Sequence, residues 1–104
     1  MYKILVIYPK PSNLESFEEH YKSVHIELVK KLPKLRGFRI NKIYGSPSGE
    51  PEFYLLAELL FDSKADLEYA LKSNEMRDAA RDAMKISEGK MKVMFAEEYE
   101  DVKP

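Results

Sequence analysis

The segment Phe53-Tyr54-Leu55-Leu56-Ala57-Glu58-Leu59-Leu60-Phe61 constrains the fold more than any other stretch of the chain. Its aromatic and aliphatic content, and the turn-forming run Gly45-Ser46-Pro47-Ser48-Gly49-Glu50-Pro51 ahead of it, predict a β-strand. Successive side chains of a strand point to opposite faces. One face then carries Phe53, Leu55, Ala57, Leu59 and Phe61, and the other Tyr54, Leu56, Glu58 and Leu60. A sheet with one wet face alternates apolar and polar residues. This strand does not, so both of its faces need a cover. The N-terminal strand, Tyr2 to Tyr8, has the same property, with Tyr2, Ile4, Val6 and Tyr8 on one side and Leu5 and Ile7 on the other.

The remaining elements say what can cover them. Ser12-Asn13-Leu14-Glu15 reads as a capping box with Ser12 at the cap. The helix it opens runs to about Leu32, where Pro33 prevents continuation. Its apolar stripe is Leu14, Phe17, Tyr21, Val24, Leu28 and Leu32. A second strand, Phe38 to Tyr44, follows Gly37. Ser63-Lys64-Ala65-Asp66 caps a second helix, and Ser73-Asn74-Glu75 re-caps or bends it. Met76, Ala79, Ala80, Ala83 and Met84 continue its face, and Met91 to about Glu98 forms a fourth strand. The order β-α-β-β-α-β predicts an α+β, ferredoxin-like fold: a four-stranded antiparallel sheet with both helices on one face. Strand order 4-1-3-2 is expected. The two strands that are apolar on both faces take the centre, and those carrying Arg39, Asn41 and Lys42, or Lys92, Glu97 and Glu98, take the edges. The helices cover one sheet face only. A second copy of the chain is the simplest cover for the other, so a homodimer is expected.

Composition narrows the function classes. At 104 residues the chain is read as one domain, 1–104, with a charged tail at 97–104. Seventeen basic against eighteen acidic residues, a net charge of −1, argue against nucleic acid or an anionic membrane as partner. The absence of cysteine excludes disulfides, thiolate-bound zinc, iron–sulfur clusters and a cysteine nucleophile, and points to the cytoplasm. The apolar run before Pro9 is too short for a signal or membrane-spanning segment.

Few residues are equipped for chemistry. At about 100° per residue His20 and His25 fall roughly 140° apart on the first helix. His20 is expected in water beside Glu19. His25 lies within the apolar stripe between Tyr21 and Leu28, either as a general base in an apolar cleft or as a core histidine satisfied by a neighbour. Glu58, a lone carboxylate in an apolar strand, needs a partner, either in an ion pair across a dimer or at a cavity wall. Tyr8, Tyr21, Tyr44 and Tyr54 are candidates to line a pocket or to pack as core residues with a wet end. No glycine-rich phosphate loop, no G-x-S-x-G and no set at metal-ligand spacing is present, so neither a metal nor another cofactor is expected.

Several segments carry a family resemblance: Tyr8-Pro9-Lys10-Pro11, the stretch Phe17 to His25 with its Tyr-x₃-His, Leu32-Pro33-Lys34-Leu35-Arg36-Gly37, and Ala57-Glu58-Leu59-Leu60-Phe61-Asp62-Ser63. Over nearly its whole length the chain resembles the EthD family, named for a protein of ethyl tert-butyl ether degradation. The resemblance implies the dimeric α/β-barrel superfamily, in which two ferredoxin-like sheets close face to face and each pocket lies between a sheet and its helices. It implies that His25 and Tyr21 point into that cleft and that Phe61 stands at its mouth or wall. Haem-degrading members of the superfamily carry a histidine on the second helix and a tryptophan near the end of the third strand. This chain has neither, so haem is not expected. Two functions fit. One is an enzyme, an oxidoreductase by family association: a cofactor-independent oxygenase, cyclase or isomerase acting on a small apolar or aromatic molecule. His25 is then the base, with Tyr8, Tyr21, Tyr54, Glu58 and Phe61 around the substrate. The other is a non-catalytic accessory or small-molecule-binding protein of a degradation pathway.

Overall fold

Strand β3 (Phe53–Phe61) occupies an interior position of a four-stranded antiparallel sheet of order β2-β3-β1-β4 in a computed structural model that describes residues 1–104. Its neighbours are β1 (Tyr2–Pro9) and β2 (Gly37–Lys42), while β4 (Lys92–Glu97) pairs with the other side of β1. The expected strand order and ferredoxin-like topology are therefore both present. Four helices, α1 (Leu14–His20), α2 (Ile26–Lys30), α3 (Lys64–Leu71) and α4 (Asn74–Ile86), pack on one face. Beneath them Ile4, Tyr8, Leu55, Ala57, Leu59 and Phe61 of the sheet join Phe17, Tyr21, Val29, Leu67, Ala70, Ala79 and Ala83 in one buried core.

No helix covers the opposite face, on which Leu60 alone is buried. Pairing register places Leu5 beside Glu58 and Met94, and Ile7 beside Leu56 and Lys92. Leu5, Ile7 and Leu56 are half-buried and Met94 is exposed. Glu58, in their midst, finds its partners in its own chain: Lys3 Nζ at 3.3 Å and the Asn41 side-chain amide at 3.1 Å. It lines no cavity wall with the histidines, because the alternation that buries Ala57 and Leu59 under the helices turns Glu58 away from them.

Local chemistry departs from expectation in three places. Asn13, not Ser12, is the first N-cap: its side chain accepts the Ser16 amide at 3.0 Å, and the Ser12 hydroxyl donates instead to Glu88. Asparagine caps as well as serine, and it stands directly before the first helical residue, Leu14. Ser63 caps α3 as expected, and Ser73 caps a separate helix α4 by accepting the Met76 amide at 3.1 Å.

The second departure is larger. Between α1 and α2 the chain makes a π turn, Tyr21–His25, in which the Ile26 amide donates to the Tyr21 carbonyl five residues back. The wider turn carries the buried stripe through Phe17, Tyr21, His25 and Val29 and leaves Val24 at 39% exposure, while Leu14, the first residue of α1, is 40% exposed.

The third is a bulge. Tyr8 pairs with Leu55 but Pro9 with Phe53, so Tyr54 is an extra residue in β3. The bulge turns its ring from the far face to the helix side, where its hydroxyl donates to Glu18 of α1 and Lys42 Nζ approaches the same carboxylate at 2.7 Å.

Candidate active site

Between the helices and the sheet lies a cavity of about 190 Å³ lined by 16 residues, of which His25 alone is not hydrophobic. The sheet contributes Ile4, Val6, Tyr8, Ala57 and Leu59, the π turn Tyr21 and His25, and α4 a wall of small side chains, Ala79, Ala80 and Ala83. Those alanines leave the room. An apolar cavity of about 150 Å³ accepts a benzene ring, so this one is sized for a molecule of a single ring.

The polar end of the cavity is a chain of side chains from four elements. His25 Nε2 lies 3.5 Å from the Tyr8 hydroxyl, and His25 Nδ1 lies 2.9 Å from Asp82 Oδ2. The other carboxylate oxygen of Asp82 is 2.7 Å from His20 Nε2. An ionised carboxylate only accepts hydrogen bonds. His25 therefore carries its proton on Nδ1 and donates it to Asp82, which leaves the Nε2 lone pair facing the Tyr8 hydroxyl and the cavity. Tyr21 packs against the imidazole at 4.8 Å between ring centroids and meets Tyr8 edge-on at 5.8 Å. The Tyr21 hydroxyl is buried and makes no hydrogen bond of good distance and angle, although the Tyr8 hydroxyl lies near enough to perturb it.

Burial sets the protonation of these groups. It holds the His25 imidazole below its usual pKa, against the opposing pull of Asp82. Burial pushes the Tyr8 and Tyr21 hydroxyls far up, so both remain neutral donors. Burial also acts to raise the Asp82 carboxyl, but the two imidazole N–H groups outweigh it and hold Asp82 below the usual carboxylate range.

Of the residues named from sequence, Tyr8, Tyr21 and His25 come together at this end of the cavity. The other three stand elsewhere. Tyr54 is diverted by its bulge to Glu18, Glu58 is on the uncovered face, and Phe61 is fully buried in the core without reaching the cavity. His20 is not free in water: it is bound to Asp82. Its placement in solvent assumed a regular α-helix, and the π turn brings residues five apart onto one side. Asp82 was missed altogether. Its position flanking Ala79, Ala83 and Ile86 on α4, at the border of an apolar stripe, is the one signal that marks it.

An EthD domain model matches residues 10–90. An uncharacterised 11.0 kDa protein of the thcB–thcC intergenic region of Rhodococcus erythropolis is 35% identical over 98 residues, covering 94% of this chain and 95% of that protein. A crystal structure of an EthD family protein from Bacillus halodurans C-125 superposes with a TM-score of 0.90 at 36% identity, covering 94% of this chain and 98% of that one. At 8% identity, where only the fold is shared, a mutant of the cofactor-independent oxygenase SnoaB from Streptomyces nogalater matches with a TM-score of 0.72 over 99% of this chain and 97% of its own. With a family model over most of its length and relatives above one-third identity, the chain belongs to the EthD family.

Proposed function

We propose that this protein is a cofactor-independent enzyme that removes a proton from a small, apolar molecule of single-ring size bearing one acidic hydroxyl or an enolisable carbonyl. The observation that carries the reading is a neutral imidazole, fixed by Asp82 as its Nδ1–H tautomer, presenting its lone pair to an apolar cavity beside an unpaired tyrosine hydroxyl.

In this mechanism the substrate oxygen accepts from Tyr21 Oη, filling the one vacant hydrogen bond at the site. Its O–H or α-carbon proton passes to His25 Nε2. The weak 3.5 Å contact from Tyr8 yields its place and the Tyr8 hydroxyl turns to the substrate oxygen. The imidazolium that forms is balanced by Asp82, and the phenolate or enolate is held by tyrosine donors in a site that excludes water. Returning the proton to another carbon isomerises the substrate, and attack on an internal carbonyl cyclises it. Reaction of a phenolate with dioxygen yields a quinone and one water. The fold shared with a cofactor-independent oxygenase supports this last outcome by analogy of architecture. The working unit in this reading is a homodimer, in which Leu5, Ile7, Leu56 and Met94 of two copies cover each other.

The test is turnover of monocyclic phenols and enolisable ketones, followed by oxygen uptake and product mass, for the wild type and for His25→Ala. The expected result is product from the wild type and none from a variant that stays folded by circular dichroism. Product formed by His25→Ala refutes the base. Binding without turnover by either protein is the result required by the accessory, ligand-holding alternative, which the almost wholly apolar lining would also suit.

A further inference from the structure

The proposed reaction uses both nitrogens of His25 and one oxygen of Asp82, and leaves His20 without a task. Yet the geometry around His20 is specific. Each oxygen of the Asp82 carboxylate is taken by one imidazole, at 2.7 Å by His20 and at 2.9 Å by His25. The histidines are five residues apart, the spacing that an α-helix splays and a π turn stacks. The side chains also grade outward in exposure, from 5% at His25 to 12% at Asp82 and 30% at His20.

We propose that His20 is a positioning residue acting through Asp82: it fixes one carboxylate oxygen so that the other stays aimed at His25 Nδ1, and through the shared carboxylate it couples the buried imidazole to charge at the more exposed ring. Asp82 is not fully buried, and without a donor on Oδ1 its carboxylate turns toward water and releases His25. The second half follows from charge. The groups that face His25 are Tyr8 from β1, Tyr21 from its own turn, and Asp82 from α4. Both tyrosines stay neutral, so Asp82 is the one charge that touches the ring. His20 is joined to that same carboxylate, and Lys85 and Glu88 border the open surface groove on its other side. A positive charge on His20 compensates Asp82 and opposes a second cation at His25, so the site holds a substrate proton best in the absence of that charge. This second half rests on the base reading above, whereas the positioning of Asp82 does not.

The experiment is NMR of ¹⁵N-labelled imidazoles in the full chain, for the wild type, His20→Ala, His20→Leu and His20→Gln. The wild type should show His25 as a single Nδ1–H tautomer with a slowly exchanging proton. In His20→Ala that exchange should accelerate by about ten-fold or more, the lower end for loosening a hydrogen bond to a charged group, and the second tautomer should appear. His20→Gln keeps an N–H donor for Oδ1 without a titrating charge. It should restore the tautomer while His25 titrates at higher pH than in the wild type. A His25 signal in His20→Ala with wild-type tautomer and exchange overturns the positioning role, and a wild-type titration in His20→Gln overturns the coupling. If His20→Ala does not fold, His20→Leu carries the first arm: it likewise removes the donor to Asp82 Oδ1 and must also lose the single tautomer. None of these readouts involves turnover, so failure of the base reading, seen as product from His25→Ala, is a separate result.

Discussion

Filling the cavity should stabilise the protein and abolish ligand binding. The cavity is partly open, so the cost of an enclosed void of its size, about 4.6 kcal/mol for about 190 Å³ at about 24 cal/mol per Å³, is an upper bound on what filling it returns, a large fraction of the stability of a small domain. Ala83 is 5% exposed and points into that space from α4. Ala83→Leu adds three carbons, worth about 0.8 kcal/mol each when buried, less about 0.5–1 kcal/mol of side-chain entropy. The net expectation is a gain of about 1–2 kcal/mol, and each kcal/mol raises Tm by about 4–8 °C in a domain of this size. Urea unfolding at fixed chain concentration measures the stability, because association would otherwise shift it. Calorimetric titration with 4-nitrophenol measures the binding. A variant destabilised by more than about 1 kcal/mol, as overpacking produces, would show that the space is not there to fill. Wild-type affinity for the phenol in a stabilised variant would show that this is not where ligands bind.

Two further outcomes are expected. Stability should fall as pH drops below about 6.5: burial lowers the folded pKa of His25, so the unfolded chain binds the proton first, and the contribution is complete only above the unfolded pKa. Asp82, also lowered in the fold, adds a second loss at pH below the usual carboxylate range, and His25→Gln should flatten the first slope while keeping the second. On the uncovered sheet face, Leu56→Lys should convert a species of two-chain mass in sedimentation to one of single-chain mass, since it buries a charge opposite Ile7 and Asn41 of its own sheet. A variant that still sediments as two chains refutes that interface.

The scaffold was readable because its signals are local or periodic. Strand β3 ends where turn residues and the Ser63 cap say it must, and the edge or centre position of each strand follows from which faces carry charge. The site was readable in part. His25 and Tyr21 fall on an apolar stripe, and Tyr8 follows from the alternation of β1. Tyr54, Glu58 and Phe61 did not reach the site. A bulge of one residue flips a side chain across a sheet, and a strand alternation alone cannot say which of two apolar faces the helices will choose.

By itself, then, the sequence determined the element order, the antiparallel sheet and the need to cover two apolar faces, since these follow from backbone periodicity and the cost of exposing apolar surface. The tertiary structure decided the chemistry of the histidines. A π turn has no periodic signature when it occupies five residues, and the carboxylate that joins His20 to His25 comes from a helix more than fifty residues further along the chain. Only the packing of α4 against that turn sets Asp82 between them, and with it the tautomer that leaves a lone pair facing the cavity.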